Sequence, residues 1–230
     1  MGTAEPDPGA SRHRAGVRSG DLGGRIVAAA AELLDETGDH ASVSLRSIAR
    51  RAGVSAPAIY GHYANVQSIF LVVVQEAFAE LEQALRDSAD RFPDEAGAAA
   101  RQVDQDDPQM TVARLHAVCD AYLDFAVRRP QRYRIMFGGL WTATTALESS
   151  AVTRREVEAL GQEALGVIVA ALQGCIDAGV STSTDAFADA VALWLGLHGL
   201  AHQRVAAAAF PWPGDIARRL ISALAHVTGD

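Results

Sequence analysis

The chain has 230 residues, of which 49% are hydrophobic and 21% are charged, so it is long enough for one or two domains with a sizeable core. Its formal net charge is -8, and all 20 of its strongly basic residues are arginine. Because no run of about 18 or more apolar residues occurs, the composition argues against a membrane span. The two cysteines, Cys119 and Cys175, lack metal-ligand spacing, and we expect buried thiols in a reducing compartment.

Residues 1–20 are polar and rich in glycine and proline, which predicts a disordered N-terminal arm. The arm has no apolar signal core, so we expect a cytoplasmic protein. Arg12, Arg14 and Arg18 make the arm positively charged. Such an arm can reach into a DNA minor groove, but we favour a solvated leader.

Residues 44–63 predict two short helices joined by a tight turn. Ser44 is a natural N-cap of the first helix, and Gly53 supplies the backbone freedom that ends it. Ser55 is expected to cap the second helix, and Pro57 fits its first turn. This pattern is typical of a helix-turn-helix, whose second helix lies in a DNA major groove. An ordinary helical hairpin with a solvated arginine face is the alternative.

The charge pattern favours the helix-turn-helix. Residues 40–63 contain Arg46, Arg50 and Arg51 and no acidic residue, although the chain as a whole is acidic. A DNA phosphate backbone requires such a local basic face on its partner.

Residues 25–71 resemble the DNA-binding domain of TetR-type transcriptional regulators. The parts that carry the resemblance are a first helix over 25–37 that ends at Gly38, the pair Ile48-Ala49, the turn Ala52-Gly53-Val54-Ser55, and the close Tyr60-x-His62-Tyr63. The resemblance implies a DNA-binding domain of three helices, which we assign to residues 21–65. The sequence departs from the family pattern in two places. Val66 replaces a lysine, and the pair Pro57-Ala58 replaces the commoner Gly-Thr.

Two sets of residues in this domain are placed to contact DNA. We expect contacts to DNA phosphate, through hydroxyl groups, a ring nitrogen and a helix N-terminus, from Ser44, Ser55, Tyr60, His62 and Tyr63. The residues expected nearest the bases are Arg46, Ala56, Pro57 and Ala58. Hydrogen-bonded readout is expected mainly from Arg46 and Tyr60, with apolar contacts to thymine methyl groups from residues 56–58.

The rest of the sequence predicts helices, so the fold class is all-α, with a C-terminal helical domain over 66–230. Apolar residues recur at helical spacing over 66–86, 111–129, 130–137, 154–178, 185–207 and 214–227. Residues 87–109 are acidic and contain Pro93 and Pro108, which predicts a loop.

Residues 110–207 resemble one C-terminal type seen among TetR-like regulators, the WHG domain. The resemblance rests on Pro130-x-x-Tyr133-x-x-Met136-Phe137 and on Trp194-x-x-x-His198-Gly199. It implies a helical domain with a ligand cavity and a dimer interface. The long helices over 154–178 and 185–207 carry small residues on more than one side, which favours a four-helix dimer interface that includes Ala171 and Gly196.

The candidate ligand-binding residues are aromatic side chains and one histidine. A mostly apolar cavity with a few polar groups suits a small molecule. The expected walls are Tyr122, Phe125, Tyr133, Phe137, Trp141 and Trp194, with His198 as the polar anchor. Plain core packing is the alternative for each of them. His198 and His202, together with His116 and Asp120, have the i, i+4 spacing of a zinc site, but we favour structural roles for them.

Three classes of function compete: a ligand-responsive DNA-binding repressor, an enzyme, and a DNA-binding regulator without a small ligand that is constitutive or controlled by a protein partner. No nucleophile–base spacing, phosphate-binding loop or carboxylate pair favours an enzyme, and we predict no cofactor or metal. The residues favour a homodimeric repressor that binds double-stranded DNA at a pseudo-palindromic operator and is released by a small-molecule effector.

Overall fold

The computed structural model describes residues 19–38, 42–92, 108–139 and 141–228. Within these ranges the chain forms helices, turns and one isolated β-bridge between Ser181 and Val227, and the all-α prediction is confirmed. Most of the predicted N-terminal arm lies outside the described residues, as does the greater part of the predicted acidic loop.

The helices of the described ranges follow one another along the chain, joined by turns and short loops. They are α1 (Ser19–Thr37), α2 (Leu45–Ala52), α3 (Ala56–Tyr60), α4 (Val66–Ala89), α5 (Pro108–Arg128), α6 (Pro130–Phe137), α7 (Ala143–Glu148), α8 (Arg154–Glu158), α9 (Gln162–Asp177), α10 (Ala186–Ala206) and α11 (Ile216–Leu224). Pro108, which the sequence placed in a loop, begins α5, because proline is tolerated in the first turn of a helix. Helix α7, which we did not predict, begins at an N-cap, Thr142, whose side chain accepts from the N–H of Thr145.

The N-terminal core joins α1, α2, α3 and the first half of α4. Its fully buried side chains include Ile26, Ile48, Ile59, Ile69 and Val73. Ile135 of α6 also packs into this core, although α6 lies more than sixty residues further along the chain. The DNA-binding unit predicted from local patterns therefore closes its core with a residue from the second half of the chain.

The C-terminal core joins the second half of α4 to α5, α9, α10 and α11. Leu85, Leu115, Leu172, Leu193 and Ile221 are each completely buried in it. Both cysteines are buried in this core, and burial raises the pKa of each thiol. Helix α4 thus belongs to both cores, and the predicted boundary between residues 65 and 66 falls where this shared helix begins.

The helix predicted over 154–178 is broken in two. The chain turns between α8 and α9, where Gly161 has φ 75° and its Cα faces the ring of Phe78. By length and composition alone Arg154–Asp177 could cross a membrane, with a mean hydropathy of 1.5. This is weak evidence for a span, because the segment bends at Gly161 and α9 contributes buried residues to the C-terminal core.

Helices α9 and α10 leave one side uncovered in the single chain. We call it the α9/α10 face, and its exposed residues include Gly166, Ala170, Leu195 and Gly199. Ala171 and Gly196, expected in a dimer interface, do not lie on it. Ala171 is buried in the core, and Gly196 packs against α11, where a Cβ atom would meet Leu224 Cδ1 at 2.5 Å.

We expect Gly161→Ala to lower the free energy of unfolding by about 2–4 kcal/mol, since it places an L side chain at positive φ and forces it against Phe78. The added Cβ would lie 2.7 Å from Phe78 Cε1. Urea denaturation at fixed protein concentration measures the change. Gly24→Ala is the matched control: it lies in α1 with no atom near its added Cβ and should be neutral or stabilising by up to about 1 kcal/mol. Equal stability of both variants would contradict the described α8–α9 turn.

Candidate nucleic-acid interface and interior cavity

Helix α2 is fixed at both ends by hydrogen bonds. At its start Ser44 and Ser47 form a reciprocal capping box: each side-chain oxygen accepts from the other residue's N–H, at 3.2 Å and 2.9 Å. At its end Gly53 adopts φ 68° in the left-handed region. Arg25 of α1 donates to the carbonyl oxygen of Ala52 at 2.5 Å. This bond ties the turn to α1, and sequence reasoning did not find it because the partners are far apart in the chain.

Helix α3 places one side in the core and the other in solvent. Ile59 is completely buried, whereas Tyr60 is 62% exposed and Pro57 is exposed beside it. The prediction that the Ser55 side chain caps α3 was wrong. The N–H of Ala58 donates to the carbonyl oxygen of Ser55 at 3.0 Å, and the hydroxyl makes no capping bond. The Ser55 hydroxyl is exposed and available to an outside acceptor or donor.

The segment after α3 runs along the same side of the molecule as α3. His62 is exposed, while Tyr63 is half-buried and its hydroxyl donates to the carbonyl oxygen of Gly23 at 3.4 Å. Burial raises the pKa of the Tyr63 phenol, which keeps it neutral. Asn65 then caps α4 in a second reciprocal box with Ser68. The sequence signal for this box, Asn followed by Ser three residues later, was available but was not used.

The three arginines of α2 do not all face outward. Arg51 turns toward α1 and forms ion pairs with Glu32 at 3.1 Å and with Glu36 at 2.6 Å. Its hydrogen bond lowers the pKa of the Glu36 carboxyl. Arg46 and Arg50 are exposed, and within the described ranges neither forms an ion pair. We call the exposed surface of Ser44, Arg46, Arg50, Ser55, Pro57, Tyr60 and His62 the α2/α3 face.

In the C-terminal domain the structure brings together five of the seven predicted ligand residues: Tyr122, Tyr133, Phe137, Trp194 and His198. The Tyr133 hydroxyl lies 2.6 Å from His198 Nδ1. The Tyr122 hydroxyl is further from both, at 3.4 Å from the Tyr133 hydroxyl and 3.5 Å from His198 Nδ1. The Phe137 ring packs beside the rings of His198 and Trp194. Its centre lies 4.7 Å from that of His198 and 6.1 Å from that of Trp194.

The cluster lies in surroundings that disfavour charge. Burial raises the pKa of Tyr122 and of Tyr133. Burial also lowers the pKa of His198, and the neighbouring His202 adds to this lowering. At neutral pH all three hydrogen-bonding side chains are therefore uncharged.

Phe125 and Trp141 lie away from the cluster. Phe125 is buried in the core and lines a shallow groove beside Ser88 and Arg91 on another side of α5. Trp141 packs between the N-terminal core and a small cluster around Leu71, since it follows α6 rather than forming part of it. Helical spacing did not separate these two residues from the other five.

Two spaces adjoin the cluster. A space of about 180 Å³, which we call the interior cavity, lies between α4, α5, α9 and α10 and opens to solvent beside the exposed Gln162. Tyr122, Phe137 and Trp194 form part of its wall. A wider groove of about 530 Å³ lies on the other side of Phe137 and reaches Tyr133, His198 and the exposed end of α10. Phe137 therefore separates the interior cavity from the groove.

Helix α6 carries different side chains toward the two domains. Tyr133 and Phe137 face the cluster, while Ile135 is buried in the N-terminal core. Arg132 pairs with Glu80 of α4 at 3.1 Å. Arg134 lies beside Gly38 at the end of α1, where a Cβ atom would meet its Nη2 at 3.1 Å. Sequence reasoning did not assign a role to these arginines, because their partners come from α1 and α4.

The two pairs of possible zinc ligands are separated. His198 and His202 line the groove beside α6, whereas His116 and Asp120 line a groove beside α11. Among the described residues, no group of three or more histidine, cysteine, aspartate or glutamate side chains could hold a metal ion.

Two family models match different parts of the chain. Residues 26–73 match the family model of bacterial regulatory proteins of the tetR family, and residues 115–227 match that of the tetracyclin repressor-like C-terminal domain. The chain belongs to the TetR family. Its members are transcription regulators and not enzymes, and residues 26–73 of this TetR-family chain are its DNA-binding domain. The narrower resemblance to the WHG type is not confirmed by these matches and stays a prediction.

Relatives and solved structures agree with this assignment. The HTH-type transcriptional activator FasR of Mycolicibacterium smegmatis is 32% identical over 118 residues, which are 50% of this TetR-family chain and 44% of FasR. The chain thus spans less than half the length of that relative. The structure of the fatty acid degradation regulator FadR of Bacillus halodurans superposes with a TM-score of 0.65 at 14% identity, over 91% of this chain and 97% of FadR. A protein of unknown function from Rhodococcus sp. RHA1 gives the same TM-score at 21% identity, over 94% and 95%. At 14% and 21% identity, these two structures are evidence for the fold of the chain alone.

We expect Tyr133→Phe to lower the free energy of unfolding by about 1–3 kcal/mol, since it removes the short bond to His198 and leaves Nδ1 of this half-buried ring with only the long contact to the Tyr122 hydroxyl. Tyr122→Phe should lower it by less than about 1 kcal/mol, because the hydrogen-bond distances of Tyr122 are longer. Chemical denaturation of both variants measures the difference. A larger loss for Tyr122→Phe would contradict the described hydrogen bonding.

Proposed function

We propose that this TetR-family chain is a cytoplasmic, homodimeric regulator that binds a pseudo-palindromic operator and responds to a small molecule. The observation that carries the proposal is the α2/α3 face. It joins two exposed arginines, neither of which forms an ion pair with another described residue, to exposed hydroxyl groups at the start of α2 and along α3, on a chain whose formal net charge is -8. DNA phosphates and base edges are the partners that such a face suits.

We assign the contacts to DNA by chemistry and position. Ser44, Ser55, Tyr60 and His62 suit phosphate, because each offers a polar atom on the exposed face. Arg46, with Ala56, Pro57 and Ala58, would lie nearest the bases. Tyr63 is the weakest candidate of the set, since its hydroxyl already bonds to α1. The N–H groups at the start of α4 offer phosphate a partner where Val66 replaces the usual lysine.

A second copy of the chain is the partner proposed for the α9/α10 face. A Cβ atom built on Gly166 or Gly199 would meet no atom within 4 Å in the single chain, and Leu195 is 56% exposed. Small residues allow helices of two subunits to approach closely, and a two-fold axis there would place one α3 helix in each half-site.

The response to a ligand is proposed to pass through α6. Its Phe137 forms part of the cavity wall, and its Ile135 and Arg132 contact the N-terminal core and α4. A ligand that alters the position of α6 would thereby change the relative placement of the two DNA-binding domains. It can release the operator only if it binds the DNA-free arrangement more tightly.

We propose that the regulator represses transcription, because occupying an operator is sufficient for repression. Activation is the second candidate, and the observation that favours it is the 32% identity to FasR, which is named an activator. A reporter gene behind the operator distinguishes the two. Deleting the regulator raises reporter expression under repression and lowers it under activation.

Tyr60→Ala is expected to weaken operator binding by about 1–3 kcal/mol, the range of one lost good contact at a DNA interface. Arg46→Ala should weaken binding and also relax sequence preference, since a base contact carries specificity. Quantitative gel shifts with the DNA upstream of the chain's own gene, and with scrambled DNA, measure both effects.

Arg51→Ala is the matched control, because Arg51 is held by Glu32 and Glu36 and lies off the α2/α3 face. It should leave operator affinity within about twofold of wild type. If Tyr60→Ala binds as tightly as wild type, α3 is docked differently. If Arg46→Ala lowers affinity equally for all sequences, Arg46 contacts phosphate alone.

Leu195→Arg and Ala170→Arg are each expected to give monomers with weak operator binding, since each buries an unpaired charge between two copies and a single half-site offers few contacts. Sedimentation velocity measures the mass, and gel shifts measure the DNA affinity. Ala223→Arg, on the exposed side of α11, is the control and should remain dimeric. Dimers from both interface variants would move the interface to another surface.

A further inference from the structure

The interior cavity is lined almost wholly by apolar side chains. Phe78, Leu81 and Leu85 of α4 and Ile168 of α9 form one part of the wall, and Tyr122, Phe137 and Trp194 of the aromatic cluster form another. Among the residues that line it there is no arginine, lysine, aspartate or glutamate. The polar side-chain groups at its wall are the Tyr122 hydroxyl, the Gln162 amide and the Trp194 indole N–H.

This lining discriminates against charged ligands. A carboxylate or phosphate placed against the buried Tyr122 side chain would lose its water without gaining an ion pair, which is strongly unfavourable. The raised pKa of Tyr122, which lines the cavity and whose neutral form is favoured by burial, reflects the same penalty on charge. An uncharged ligand does not meet this penalty.

Tyr122 lines the cavity, and its hydroxyl lies at the end of the side chain that meets Trp194, Tyr133 and His198. The side chain is 1% exposed, so the group cannot rely on bulk water. Its distances to Tyr133 and His198 are 3.4 Å and 3.5 Å, while those two residues hold each other at 2.6 Å. A ligand hydroxyl or carbonyl can therefore gain a good hydrogen bond from Tyr122 without breaking the short one.

The size of the cavity limits what it can enclose. Its volume of about 180 Å³ is slightly larger than the apolar cavities of about 150 Å³ that enclose benzene, which corresponds to roughly six to ten non-hydrogen atoms. A larger compound would have to move Phe137 and reach the groove beside α6.

We propose that the cavity binds an uncharged, mostly apolar small molecule of roughly six to ten non-hydrogen atoms, whose single hydrogen-bonding group meets the Tyr122 hydroxyl. This proposal rests on the proposed ligand-responsive function and gives its effector a chemical class. Simple medium-chain alcohols and ketones and substituted phenols have this chemistry, whereas carboxylates of the same length do not.

The test compares 1-octanol with octanoate on the full-length protein. Binding is followed by tryptophan fluorescence, since Trp194 lines the cavity, and operator release is followed separately by fluorescence anisotropy of labelled DNA. We expect saturable binding of 1-octanol and at least tenfold weaker binding of octanoate. Equal affinity for the two compounds, or no binding of 1-octanol up to its solubility limit, overturns the proposal.

Two variants locate the site. Tyr122→Phe keeps the ring and should weaken 1-octanol binding roughly 2- to 10-fold, the effect of one hydrogen bond. Tyr60→Phe, which removes an exposed hydroxyl from the DNA-binding domain, is the matched control and should leave that affinity unchanged. Ala164→Leu, which adds carbon atoms at the cavity wall, should weaken binding at least tenfold. Unchanged binding by both Tyr122→Phe and Ala164→Leu overturns the assignment to this cavity.

The two readouts separate this proposal from the proposed function. If 1-octanol binds with the expected discrimination but the operator stays bound, the ligand class stands and the ligand-release function fails. If 1-octanol does not bind while the protein still binds its operator, the ligand class fails and the DNA-binding function stands.

Discussion

The packing of α4 into two hydrophobic cores is the constraint on which the rest of the structure depends. Its first half buries Ile69 and Val73 in the N-terminal core, where α4 packs against α1, and its second half buries Leu81 and Leu85 against α5 and α9. A helix of 24 residues is roughly 36 Å long and transmits a tilt with little bending. Residues of this one helix therefore belong to both cores, so a tilt of α4 would displace buried side chains in each of them.

Helix α6 contacts both the N-terminal core and the aromatic cluster, which packs against the C-terminal core. Within one turn, Tyr133 holds His198 and Ile135 closes the N-terminal core. Beside them Arg132 pairs with Glu80, and burial raises the pKa of Asp35 although the arginines of α6 oppose this. Partly buried charges of this kind are sensitive to small shifts in their partners. A single short helix thus contacts both the aromatic cluster and the core of the DNA-binding unit.

Local sequence patterns were sufficient for the helix-turn-helix and for most helices. Ser44 and Gly53 set the limits of α2 because capping and left-handed backbone depend on residues a few positions apart. The apolar periodicity of α10 likewise follows from its own residues. The same local reasoning failed between α8 and α9, because helical periodicity continues through 154–178 while Gly161 and the approach of Phe78 break the helix.

Residue type and short spacing were enough to predict the all-α class, the DNA-binding unit and the chemical character of the cluster. The packing of the whole chain was needed to show that Arg51 faces α1, that Phe125 and Trp141 lie away from the other aromatic residues, and that Gly196 packs inside against α11. Periodicity shows which side of a helix is buried, but it does not show which helix covers that side. That choice depends on packing between residues far apart in the chain, where shape and volume must fit.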